Sequence, residues 1–80
     1  MVELINDLIA FGFRMQKFEL VRGCSMIVIE MKRDDIIITF SNNDNKYSWF
    51  KAVKGEHTLF SLSAIDNDYS GFLRAIIEYF

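Results

Sequence analysis

Proline is missing from the chain altogether, cysteine occurs once, as Cys24, and histidine once, as His57. Without proline there is no stiff interdomain linker or proline-rich recognition tract, and no internal repeat or low-complexity stretch takes its place. A lone cysteine excludes an internal disulfide and fits a reducing compartment. One histidine, beside the "KGE" turn and with no His or Cys at ligand spacing, leaves neither a metal site nor a nucleophile triad. The four glycines form no phosphate-cradling pattern, and "SNNDN" lacks the glycine and closing glutamate of a calcium loop. Apolar runs stay far short of the roughly 18–20 residues of a membrane span. The N-terminus carries Glu3 and Asp7 where a secretion signal would carry cations. The expectation is a cytoplasmic protein of the host cell, with no membrane partner and no cofactor.

What is present in excess is apolar and aromatic material: 51% of the 80 residues are hydrophobic and 15% aromatic, eight of them Phe. A chain this short forms one domain, residues 1–80, and buries only about 60–65% of the surface its unfolded form exposes. Some of the apolar surplus is therefore expected to meet a partner. The net charge of −2 marks neither a generic polyanion binder nor an acidic mimic, but its distribution is uneven. Residues 14–54 hold eight cations against five acids, a net +3, while the two ends together carry −5.

Periodicity divides the chain into seven segments. Leu4, Ile5, Leu8 and Ile9 recur at helical spacing and predict an amphipathic helix over residues 2–11, closed by Gly12 with Phe13 folding back on Leu8 in a Schellman motif. From Phe13 to Leu62 the period becomes 2. "FRMQKFELV" changes parity between Met15 and Phe18, so either a bulge lies near Gln16-Lys17 or the strand begins there. "RGCS", "KRDD", "SNNDNK" and "KGE" read as turns between "MIVIEMK", "IIITF", "YSWFKAV" and "HTLFSL". "DNDYSGFLRAIIEYF" predicts a second helix with Tyr69, Phe72 or Leu73, Ile76 and Phe80 on one stripe, Asp66 or Asp68 as N-cap, and Gly71 weakening it. The fold expected is α+β: an antiparallel four- to five-stranded meander with the N-terminal and C-terminal helices packed on one face, in the order α-β-β-β-β-β-α.

Such a sheet has one uncovered face, and the sharpest residue question falls there. In "YSWF" alternation sends Trp49 and Phe50 to opposite sides. Ser48, Phe50 and Ala52 make a compact inner row, together with Ile27, Ile29, Met31, Ile36, Ile38, Phe40, Phe60 and Leu62. Tyr47 and Trp49 beside Lys51 then point outward with Val28 and Ile37. Amphipathic rings next to a cation are the composition of a contact surface, so Tyr47, Trp49, Lys51, Val28 and Ile37 are the expected partner-binding residues. The alternative is that the sheet curls until the outer residues cover one another, or that the last helix crosses to the second face. No catalytic residue is expected. The Asp34-Asp35 and Asp66/Asp68 pairs fall at a turn and a helix start, where structural roles account for them.

The order α-β-β-β-then-helix, with "INDLI" at Ile5 to Ile9, resembles the small phage-encoded anti-CRISPR proteins that block an RNA-guided nuclease. That resemblance implies a non-enzymatic inhibitor or adaptor acting on a larger host protein. Many such inhibitors present dense carboxylates in place of nucleic acid, whereas residues 14–54 here are net positive. Two other readings follow from the residues. One is a nucleic-acid-binding accessory protein, with Tyr47 and Trp49 as stacking platforms and Lys17, Lys32, Arg33, Lys46, Lys51 and Lys54 as phosphate contacts. The other is a homodimer that hides the outer face against itself. A few dispersed lysines offer counterion release and little else, so the isolated protein is expected to bind single-stranded DNA or RNA only as weak background that disappears with added salt. A complex that persists at moderate salt and is lost on Trp49→Ala, measured by fluorescence anisotropy, would reverse this ranking.

Overall fold

The structure, a computed structural model, describes residues 2–21, 23, 26–43, 46–63 and 70–79. Helix α1 spans Val2–Ala10, and strands β1 to β5 span Arg14–Leu20, Met26–Arg33, Ile36–Asn43, Lys46–Lys54 and His57–Ser63. Helix α2 spans Ser70–Tyr79. All five strands belong to one sheet in the order β1-β2-β3-β4-β5, each antiparallel to its neighbour in the chain. This is the α+β meander that the change of period predicts. Cys24, Asp66, Asp68, Tyr69 and Phe80, to which the sequence assigns turn, cap and stripe positions, lie outside the described residues, as do Asp44 and Asn45 of "SNNDN".

Each helix is too short to be stable alone, since isolated helices below about 12–15 residues are marginal in water. Docking holds them. Leu4 and Leu8 of α1 and Phe72 and Ile76 of α2 are buried in a single cluster with Ile29, Met31, Ile36, Ile38, Phe40, Phe50 and Ala52. Both helices therefore cover the same face of the sheet. The junction with α2 is aromatic: Phe72 stacks on Phe50 with ring centroids 4.6 Å apart and meets Phe60 edge-on at 5.7 Å.

The exit from α1 follows the predicted Schellman geometry. Phe13 N–H donates to Leu8 O at 3.0 Å and Gly12 N–H to Ile9 O at 2.9 Å, while Gly12 takes φ +94°. No basic residue lies in the last turn of α1, and Arg33 supplies the charge from the far end of β2. Its Nη1 donates to Phe11 O at 2.9 Å, placing a guanidinium where unsatisfied carbonyls and the negative end of the helix dipole converge. At the same end of the sheet Asp34 occupies the left-handed region (φ 54°) in a two-residue turn between paired Arg33 and Ile36. Gly55 N–H donates to Asp35 O at 3.1 Å, tying the β4–β5 turn to this one.

Three bulges interrupt the ladders. On β1, Met15 pairs with Met31 and Lys17 with Glu30, so Gln16 is the extra residue, at the place where the parity change predicts one. On β5, Ala52 pairs with Phe60 and Val53 with Thr58, leaving Leu59 extra, and the consecutive Leu59 and Phe60 both pack against the core. On β4, Phe50 pairs with Phe40 and Tyr47 with Asn42, so residues 48–49 together oppose Ser41. A bulge shifts alternation by one residue, and each shift redirects the side chains beyond it.

Two glycines should respond oppositely to alanine. Gly12→Ala forces a Cβ into a left-handed position with the Arg33 side chain 3.5 Å away, and should lower stability by about 1–3 kcal/mol. Gly71, in the first turn of α2, has nothing within 4 Å of an added Cβ, so Gly71→Ala should raise stability by a few tenths of a kcal/mol, up to ~1. Urea melts of the two variants check both signs.

Candidate functional site

The β4 bulge corrects the expected contact surface. Alternation alone puts Tyr47 on the outer face with Trp49. With the extra residue at 48–49, Tyr47 and Phe50, three apart, point to the same side. Tyr47 is a core residue, 7% exposed, its ring 5.5 Å from that of Phe50 and 6.1 Å from that of Phe40. Phe50 is buried, as the inner row requires, and Trp49 is half-buried.

Val28, Ile37 and Lys51 do lie on the outer face, but the register separates them. Lys17 pairs with Glu30, Glu30 with Thr39, Thr39 with Lys51 and Lys51 with Ser61, a polar row that crosses all five strands. On one side of it stand Val28 and Trp49, on the other Ile37 beside Val53. Val28, Ile37, Trp49 and Val53 are each half-buried. The face thus has the mixed polarity of a solvated antiparallel sheet rather than one continuous apolar patch.

The exposed apolar residues are elsewhere. Every residue of β1 is exposed, including Met15 at 43%, Phe18 at 55% and Leu20 at 66%. Directly opposed residues in an antiparallel pair point to the same face, and these three oppose Met31, Ile29 and Ile27, the inner row of β2. Met15, Phe18 and Leu20 therefore sit on the helix-covered face, beyond the reach of the helices. Widths explain why. A helix about 10 Å across covers roughly two strands spaced about 4.8 Å apart, so two helices cover four strands of five. The same shortfall leaves Leu62 on β5, expected in the core, 37% exposed. The sequence signal for β1 was present in the parity change and in the count of strands against helices, but choosing which edge stays bare requires knowing where the helices dock.

The polar side chains of β1 alternate with this row. Lys17 Nζ lies 3.1 Å from Glu19 Oε2, both more than half exposed, on the outer face. As the first strand in the sheet order, β1 has β2 on one side and, among the described residues, no strand on the other.

A shallow groove of about 540 Å³ lies at the two adjoining turns, lined by Asp35, Lys54, Gly55, Glu56, His57 and Leu59. Among the described residues no group of three His, Cys, Asp or Glu side chains could hold a metal ion. Asp34 and Asp35 are exposed turn residues, and His57, exposed, opens β5 beside the Gly55-Glu56 turn. No helix among the described residues is long and apolar enough to cross a membrane. Comparison with protein-family models, with curated proteins and with solved structures finds no match.

Thermal melts separate the three aromatics of "YSWF". Tyr47→Ala and Phe50→Ala should each cost about 3–5 kcal/mol, the range for emptying an aromatic core position, and Trp49→Ala clearly less. A Tyr47→Ala variant as stable as the parent would return Tyr47 to the surface.

Proposed function

We propose that this chain is a small non-enzymatic protein-binding module, an inhibitor or adaptor that works by docking on other protein surfaces, with strand β1 as its contact element. The observation that carries this is the exposure of Met15, Phe18 and Leu20 in one row along an open sheet edge. Backbone groups of an edge strand give affinity to an incoming strand, and an apolar row beside them gives it a surface to bury. The groove at the turns is lined by charges of both signs, and among the described residues it holds no metal-ligating cluster. An inhibitor of an RNA-guided nuclease, as the "INDLI" resemblance implies, would belong to this class. The nucleic-acid reading loses one of its two stacking rings to the core with Tyr47.

Site-specific photocrosslinking in the organism that encodes the protein tests the assignment. With benzoylphenylalanine in place of Phe18, covalent adducts to protein should form on irradiation, identified by mass spectrometry. The same group in place of Trp49 should yield few. Adducts from position 49 and none from position 18 would move the contact element to the outer face.

A further inference from the structure

Resting on the reading of β1 as the contact strand, we infer that its occupant is a second copy of this chain: two β1 strands pair antiparallel about a two-fold axis, with Phe18 opposite Phe18 of the second copy. Two independent observations lead there, one from backbone parity and one from charge.

Val21 N–H donates to Met26 O at 2.9 Å, and the β1–β2 register is regular from Lys17↔Glu30 to Leu20↔Ile27. In an antiparallel ladder hydrogen-bonding residues alternate. The backbone groups of Glu19 and Lys17, two and four residues from Val21, therefore turn toward β2. Those of Phe18 and Leu20 turn out to the open edge. A strand pairing with this edge must bond to Phe18 and Leu20.

For two copies related by a two-fold axis, opposed residues share a face, so the axis passes through a residue rather than between two. Centring on Lys17 opposes lysine to lysine, and centring on Glu19 opposes glutamate to glutamate. Centring on Phe18 opposes Lys17 of each copy to Glu19 of the other, twice. In that register Phe18 forms the doubly hydrogen-bonded pair, and Lys17 and Glu19 occupy the non-hydrogen-bonded positions, where side chains approach closest. Lysine on an edge strand ordinarily repels a like strand. Here its partner two residues on, already within 3.1 Å in the single chain, converts repulsion into complementarity.

On the helix side of the joined sheet, Phe18 faces Phe18 of the second copy and Leu20 of each copy flanks the pair diagonally, in the trough between the helix layers. The three apolar side chains of β1 offer about 300 Å² per copy, which with both copies stays below the ~1,200 Å² of a standard interface. The bulge at Gln16 confines regular pairing to the few residues beyond it. The dimer is accordingly a weak one, forming in the micromolar range or above.

Sedimentation equilibrium of the purified chain, with two charge variants, tests the register. The parent should dimerise with increasing concentration. Lys17→Glu and Glu19→Lys, both at exposed positions, should keep the parent's circular dichroism while each weakens self-association about tenfold or more by opposing like charges. An equimolar mixture of the two variants should recover dimer, because glutamates at 17 and 19 in one chain then face lysines at 19 and 17 in the other. The double variant should dimerise by itself. A parent that is monomeric at millimolar concentration, or a dimer indifferent to either single charge change, or a mixture that fails to recover it, overturns the inference. If position 18 then still crosslinks to a different protein, β1 remains the contact strand and only the occupant is wrong. If it crosslinks to nothing, both readings fail together.

Discussion

The stacking of Phe50 on Phe72 is the contact on which the rest of this molecule depends. It joins the middle of the sheet to the last helix, and around it Phe40, Tyr47 and Phe60 fill the space between the layers. Neither helix has the length to stand alone, so the sheet's inner face both receives them and makes them helical. In an 80-residue chain no second cluster can take over that task. Five of the chain's twelve aromatic side chains meet here.

How far the sequence could be read depends on where alternation holds. Between bulges it held well: Ile29, Met31, Ile36, Ile38, Phe40, Phe50 and Ala52 are the inner row, and the Gly12–Phe13 exit from α1 has the hydrogen bonds that the glycine and the apolar residue after it predict. Tyr47 was misplaced because the β4 bulge falls in a stretch, "NKYSWF", where neither a glycine nor a break in polarity marks it. At Gln16 the parity change of the apolar residues betrayed the bulge. At residues 48–49 the residues on both sides are aromatic, and a shift by one leaves an apolar residue facing inward either way. Leu59, too, is invisible for this reason, since Phe60 beside it serves equally well as a core residue.

The functional surface was harder to read than the core because it arises from a mismatch of widths rather than from a motif. Met15, Phe18 and Leu20 have the pattern of buried residues and face the buried side. They are exposed only because the helical layer ends before the sheet does. An apolar residue with a core pattern at an uncovered edge carries no local mark that distinguishes it from one in the middle. The outer face misleads in the opposite sense: Trp49, Val28 and Ile37 look like a contact patch in one dimension, but the band from Lys17 through Glu30, Thr39 and Lys51 divides them once the strands are aligned.

The strict meander order of the sheet bears on how the chain comes to be folded. Every strand is hydrogen-bonded to its neighbour in sequence, and the tightest turns are two residues long, so the sheet closes through a series of short loops with little entropy lost at each. The first helix is the exception. Leu4 and Leu8 share their cluster with residues of β2, β3 and β4, the last of them Phe50 and Ala52, so in a chain emerging from the ribosome the sheet core that α1 joins is complete only once β4 has been made, some four tens of residues later. At about 5–20 residues per second that interval lasts roughly 2–9 s, far longer than hairpin closure takes. For this protein the vulnerable period is set by the speed of translation, and helix α1 is the element that a chaperone would meet.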